Sequence, residues 1–183
     1  MVKLSLVIMA LAGLLATSEP GGIASAQPAA AGPEYAEPLD AQNLNELKNL
    51  YGRLIDAENR HELNAVRKFL WKSPAMPFVA KTKTAAEGNW AGFWGTELVL
   101  QHFHDLYQGP FRIDPDYARE KTVGLTPDVA ETYVPVKITV AYGGQQAVLE
   151  PFLMILEWIR TPWGWKMATD IALPIPPPPP PIN

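Results

Sequence analysis

Residues 148–160 are apolar on both parities: Phe152, Met154, Leu156 and Trp158 alternate with Leu153, Ile155 and Ile159. A strand of this kind is covered on both faces, so it needs a helix layer on one side and a second covering, such as another subunit, on the other. The residues before it provide its partner. Thr132, Val134, Val136, Ile138, Val140 and Tyr142 alternate with Tyr133, Lys137 and Thr139, which predicts a half-buried strand turning at Gly143-Gly144 into the apolar one. Thr161-Pro162-Trp163-Gly164 turns the chain again, into a strand from Trp165 to Leu173, and Tyr117 to Leu125 adds a fourth.

The first half has a different period. Leu44, Leu47, Leu50, Tyr51, Leu54 and Ile55 recur at helical spacing, with Asp40 or Asn43 as N-cap and Glu46 as capping-box partner of Asn43. Behind Asn59-Arg60-His61-Glu62, the stripe Leu63, Val66, Phe69 and Leu70 predicts a second helix that Pro74 and Pro77 end. Phe78-Val79-Ala80 fits a short strand. After a turn at Glu87-Gly88-Asn89, a third helix is expected from Trp90 or Gly92 to Tyr107, closed by Gly109-Pro110. Three helices followed by antiparallel strands make an α+β domain over residues 40–173, with the helices on one sheet face.

The ends read differently. Lys3, the apolar run Leu4 to Leu15 and the small-x-small site Ala24-Ser25-Ala26 make residues 1–26 a secretory signal cleaved between Ala26 and Gln27. The competing reading, a membrane anchor, needs roughly 20 apolar residues, and this run stops at Ala16-Thr17-Ser18-Glu19-Pro20. The mature chain is then expected in the periplasm or secreted, with no membrane segment. Residues 27–39 form a Pro/Ala-rich linker. Residues 174–183 form a tail with six consecutive prolines, Pro176 to Pro181, an extended rod that serves either as a spacer or as a ligand for a partner's aromatic groove.

Composition removes several classes. A chain of 183 residues suits one domain plus tails. With 15 basic against 19 acidic residues, a formal charge of −4 leaves no surplus to neutralise a phosphate backbone, so no nucleic-acid partner is expected. The chain has no cysteine, which excludes disulfides, thiolate metal sites and a cysteine nucleophile. His61, His102 and His104 are scattered, and on a helix His102 and His104 point to nearly opposite sides, so no metal site is expected. There is no Gly-x-Ser-x-Gly elbow, and Gly143-Gly144 belongs to a hairpin rather than a phosphate loop, so neither a hydrolase triad nor a cofactor is expected.

The helix carrying Tyr51 and Asp56, the second helix from Glu62 to Leu70, the Trp94-Gly95-x-x-x-Val99-x-x-x-Phe103 run, the Gly143-Gly144 hairpin and the closing Trp163-Gly164-Trp165-Lys166-Met167 resemble the nuclear transport factor 2-like superfamily. Within it the sequence is most similar to the SnoaL-like group, related to ketosteroid isomerase and polyketide cyclases. The resemblance spans Leu44 to Pro174. It implies a curved antiparallel sheet wrapped as a cone around three N-terminal helices, a ligand pocket at the open end, and homodimers through the outer sheet face.

The resemblance also allows a test of the isomerase chemistry. Tyr51 falls where the family's oxyanion tyrosine stands, but Phe78-Val79-Ala80-Lys81 has no carboxylate for the base, and Leu156 replaces the second acid. Two readings of Tyr51 stay open, a pocket hydrogen-bonding group or an aromatic of the helix stripe. His102, at the border of the apolar face of the third helix, is either a general base or a half-buried ring with a satisfied nitrogen. Glu157 and Asp170 fall on the parity opposite Leu156, Met167, Thr169 and Ile171, so both are expected on the outer face, pairing with Lys166 or Arg160. The expected pocket is lined by Tyr51, Trp94, His102, Phe103, Tyr107, Met154, Leu156, Trp158 and Thr169. Three functions follow: binding of a small hydrophobic molecule, an isomerase, cyclase or dehydratase using His102 and Tyr51, or a protein-interaction module.

Overall fold

A computed structural model of the chain describes residues 37–80, 91–141 and 146–176. The signal segment, most of the linker, the Glu87-Gly88-Asn89 turn, Trp90, the Gly143-Gly144 turn and the prolines from residue 177 onward lie outside them.

Helix α1 (Ala41–Asn59) starts where the Asp40 carboxylate accepts the Asn43 backbone N–H at 2.8 Å, so Asp40 is the cap. Its buried stripe runs Leu47, Leu50, Tyr51, Leu54, Ile55 and Glu58. Asn59 ends the helix by clamping a later strand, donating to Ile113 O at 2.8 Å and accepting from Ile113 N at 2.7 Å. His61 then takes the left-handed conformation at φ 57°.

Helix α2 (Leu63–Val66) stops a turn before the expected Leu70. The sheet competes for this backbone: Trp71 N donates to Met167 O, and Met167 N donates to Phe69 O, both at 2.8 Å. Strands β1 (Pro77–Ala80) and β2 (Ala91–Trp94) form an antiparallel pair in which Pro77 faces Trp94. Helix α3 (Thr96–Leu106) therefore begins later than expected, and Trp94 belongs to a strand. Gly95, at φ 94°, makes the break. Thr96 locks it, its hydroxyl donating to Trp71 O at 2.7 Å.

Strand β3 (Phe111–Pro115) follows, a segment whose alternating Phe111 and Ile113 the sequence reading passed over. The expected strand at 117–125 divides into a 3-10 turn, Tyr117–Arg119, and β4 (Lys121–Thr126). Strands β5 (Val129–Val140), β6 (Val148–Thr161) and β7 (Gly164–Pro174) lie close to their expected bounds. The seven strands form one curved, unclosed sheet in the order β2-β1-β7-β6-β5-β3, with β4 also on β5. The sheet is mixed rather than wholly antiparallel, because β1 runs parallel to β7.

The inner face carries the core. Ala130, Trp158 and Met167 form one rung across β5, β6 and β7; Thr132, Leu156 and Asp170 the next; Val134, Met154 and Ala172 a third. Trp158 Nε1 donates to Thr132 Oγ1 at 3.0 Å, so the polar atoms of that pair satisfy each other. The last linker residues also join the body: Leu39 is buried, and Glu37 accepts the Gly124 N–H at 2.8 Å. A Cβ on Gly124 would meet Glu37 Oε1 and, at 2.8 Å, Leu39 Cγ, so a larger residue there would displace these side chains.

Candidate functional site

The register of β6 against β7 shifts between Glu157 and Trp158: Glu157 faces Thr169, yet Trp158 faces Met167, leaving Ala168 as an extra residue. A one-residue bulge turns every following side chain to the other face. This corrects the expected parity of β7. Asp170 lies on the inner face in register with Leu156 and is fully buried, while Thr169 and Ile171 are half-buried on the outer face. Glu157 stays outside, with the Thr169 hydroxyl at 3.5 Å.

Asp170 is paired in burial with a residue that the sequence reading missed. Glu58 lies on α1 two turns after Tyr51 and is as deeply buried. None of the four carboxylate oxygens of Glu58 and Asp170 has a hydrogen-bond partner, nor does the buried Tyr107 hydroxyl. Burial pushes the Asp170 carboxyl up to about 7. Burial, followed by the Asp170 charge, holds Glu58 well above the usual carboxylate range. Tyr51 and Tyr107 are both raised, first by burial and then by these same two acids. The arrangement is a proton-retaining carboxyl pair flanked by two phenols in an apolar interior. Periodicity carried a signal for Glu58, which continues the series 47, 50/51, 54/55, 58. It carried none for Asp170, because the bulge breaks the alternation.

The remaining expected residues separate into groups. Tyr51 is buried with its hydroxyl 4.0 Å from Met154 Sδ, and its ring meets Tyr117 edge-on at 6.2 Å. Met154, Leu156 and Trp158 line the same interior, all buried. His102 belongs instead to an aromatic cluster, stacked on Phe93 at 4.0 Å and tilted against Phe78 at 4.9 Å. Phe103 links Phe78 to Tyr107, at 5.5 and 5.9 Å, and Tyr107 stacks on His61 at 4.7 Å. Phe78 is the β1 register partner of Asp170, so this aromatic wall adjoins the carboxyl pair. Trp94 is 50% exposed and stands apart from the interior. Among the described residues, no group of three or more His, Cys, Asp or Glu side chains could hold a metal ion.

No protein-family model and no curated protein sequence matches the chain. Solved structures do. A proposed aromatic ring hydroxylase from Novosphingobium aromaticivorans is 15% identical with a TM-score of 0.61, covering 76% of this chain and 93% of its own. A nuclear transport factor 2-like superfamily protein from Salmonella enterica is 11% identical with a TM-score of 0.60, covering 73% and 91%. A proposed dehydratase of the same family from Streptomyces avermitilis is 17% identical with a TM-score of 0.56, covering 74% and 98%. The chain has the nuclear transport factor 2-like fold that its sequence pattern resembles.

Proposed function

We propose that this nuclear transport factor 2-like domain binds a small apolar molecule bearing a hydrogen-bond donor, which the Glu58–Asp170 pair receives inside the cone. The observation that carries this is the set of carboxylate oxygens buried without partners. A buried polar group left unpaired costs about 1–3 kcal/mol, more when charged, and a ligand hydroxyl would recover part of that cost. The apolar surroundings of Leu156, Trp158 and the Phe78–Tyr107 wall match the rest of such a molecule. 2-Naphthol is a suitable probe. Its fluorescence titration at pH 8 is expected to saturate at one molecule per chain and to weaken at least tenfold in Glu58→Gln/Asp170→Asn; equal binding by the folded double variant would overturn the reading.

A second reading rests on Asp170 alone. A carboxyl pushed up to about 7 both accepts and donates protons at neutral pH, the property a general acid–base needs. In an isomerase or dehydratase of this kind the base is Asp170 rather than His102, whose ring is held in the aromatic stack. An activity whose pH profile inflects near 7, and loses that inflection in Asp170→Asn but not in His102→Phe, would support it.

The proposal extends to export and assembly. Residues 1–26 act as a leader, and N-terminal sequencing of the exported protein should begin at Gln27. The outer row of Tyr133, Leu153, Ile155 and Ile171, half-buried and apolar, is the proposed face for a second copy. Light scattering should then show a dimer that Ile155→Glu converts to a monomer.

A further inference from the structure

A cleft of about 520 Å³ opens on the outside of the cone, between α1, the chain around α2 and the β6–β7 turn. That volume lies in the range of small-molecule sites. Trp163 and Trp165 form one wall, and Leu50 and Phe69 contribute apolar surface to the same cleft. Trp163 is 83% exposed. The turn holds it out: Trp163 N–H donates to Thr161 Oγ1 at 3.2 Å, and the Thr161 hydroxyl donates to Gly164 O at 2.7 Å. Gly164 takes φ 89°, a conformation that strains a residue with a side chain. Trp165 is fixed in turn, with the Arg160 guanidinium carbon 4.4 Å from its ring centroid.

The cleft also has a charge. Arg53, Arg60, Lys68 and Lys166 line it against Glu46 and Asp56. Arg60 is engaged by Glu62 at 2.9 Å, and Lys166 Nζ donates to Lys68 O at 2.7 Å. Arg53 and Lys68 are exposed and have no ion-pair partner among the described residues. A positive surplus here, on a chain of formal charge −4, is local to the cleft.

We propose that this cleft is a second binding site, for an amphipathic anion whose flat apolar body lies against Trp163 and Phe69 and whose carboxylate, sulfonate or phosphate meets Arg53 and Lys68. The site is opposite in kind to the interior. Two buried carboxyls disfavour an anion there, whereas the outer cleft has unpaired cations beside an exposed indole. A recess of about 520 Å³ favours a single molecule over a flat lipid surface.

The test uses the full mature chain and two probes that share an aromatic body: 8-anilino-1-naphthalenesulfonate and the neutral N-phenyl-1-naphthylamine. The sulfonate should bind one per chain, at least tenfold tighter than the neutral probe, and weaken as salt is raised from 20 to 300 mM by about threefold or more, as a screened contact does. Trp163→Ala and Arg53→Gln alter exposed side chains, so both variants should keep the wild-type circular dichroism and melting temperature while losing at least fivefold in sulfonate affinity. Equal affinity for the two probes, or unchanged sulfonate binding in both variants, would overturn the proposal. So would sedimentation with phosphatidylglycerol vesicles without binding of the monomeric probe, which would assign the turn to a lipid surface. Glu58→Gln/Asp170→Asn should leave sulfonate binding unchanged, so failure of the outer site and failure of the interior reading are separable.

Discussion

Two neighbouring rungs of the same three strands carry acids, and they treat them in opposite ways. On the outer rung Glu131, Glu157 and Thr169 are half-buried, and Glu157 has the Thr169 hydroxyl beside it. On the inner rung Thr132, Leu156 and Asp170 are fully buried, and the Asp170 carboxylate has no partner but the equally buried Glu58 nearby in charge. Local sequence does not separate Glu157 from Asp170, since both stand in long, largely apolar strands. The separation depends on the extra residue Ala168, which turns the chain over between the Trp158–Met167 rung and these two, so that Asp170 rather than Thr169 faces inward with Met167. Register decides which acid becomes chemistry and which stays surface.

Removing that extra residue should have the largest effect. Deleting Ala168 forces either Asp170 outward or Trp165 and Met167 into solvent, both of which are buried. Losing two such side chains from the core costs at least 4 kcal/mol or so, and thermal unfolding followed by circular dichroism should lose its cooperative transition. A variant that melts normally would show that the bulge is dispensable.

Neutralising the inner acid should have an intermediate effect of opposite sign. The Asp170 carboxyl, ordinarily near 3.8, is pushed up to about 7 in the folded chain. The folded state therefore binds its proton more tightly than the unfolded state. Stability is fullest below the ordinary value and falls as pH rises towards 7, with Glu58 extending the decline upward. Asp170→Asn should raise stability at pH 8 by on the order of 2 kcal/mol and flatten the fall between pH 4 and 7. A melting temperature at pH 8 equal to or below that of the wild type would break the contrast between the rungs.

The smallest effect is expected on the outer rung. Glu157→Gln should change stability at pH 8 by no more than about 0.5 kcal/mol. A shift as large as that of Asp170→Asn would mean that the outer face is covered in solution, and the same protein run at several concentrations in the melting experiment would reveal it.

Periodicity and turn chemistry were enough for the long elements. The stripe from Leu47 to Ile55 and the double parity of β6 come from residues that neighbour one another along the chain, and a helix or strand places such neighbours on predictable faces. Short elements were less legible because backbone partners far away in sequence set them. Met167 draws the chain out of α2 at Phe69 and Trp71, and the pairing of β2 with β1 moves the start of α3 to Thr96, after Gly95. The candidate site shows both cases. Tyr51, Met154, Leu156 and Trp158 follow from local pattern, whereas Trp94 and Thr169 were displaced by a strand and a bulge.

By itself the amino-acid sequence determined an α+β chain, a first helix capped at Asp40 or Asn43, a long sheet with one face turned to the helices, and a turn at Thr161-Pro162-Trp163-Gly164. These depend on side-chain period, capping and glycine, all of which act over a few residues. Only the tertiary structure decided that Glu58 and Asp170, 112 positions apart, share one apolar interior. It also decided that Arg53, Lys68 and Trp163 share one cleft. Burial, and the proton affinity that follows from it, belongs to the packed volume around a residue, and that volume is assembled from segments that do not meet along the chain.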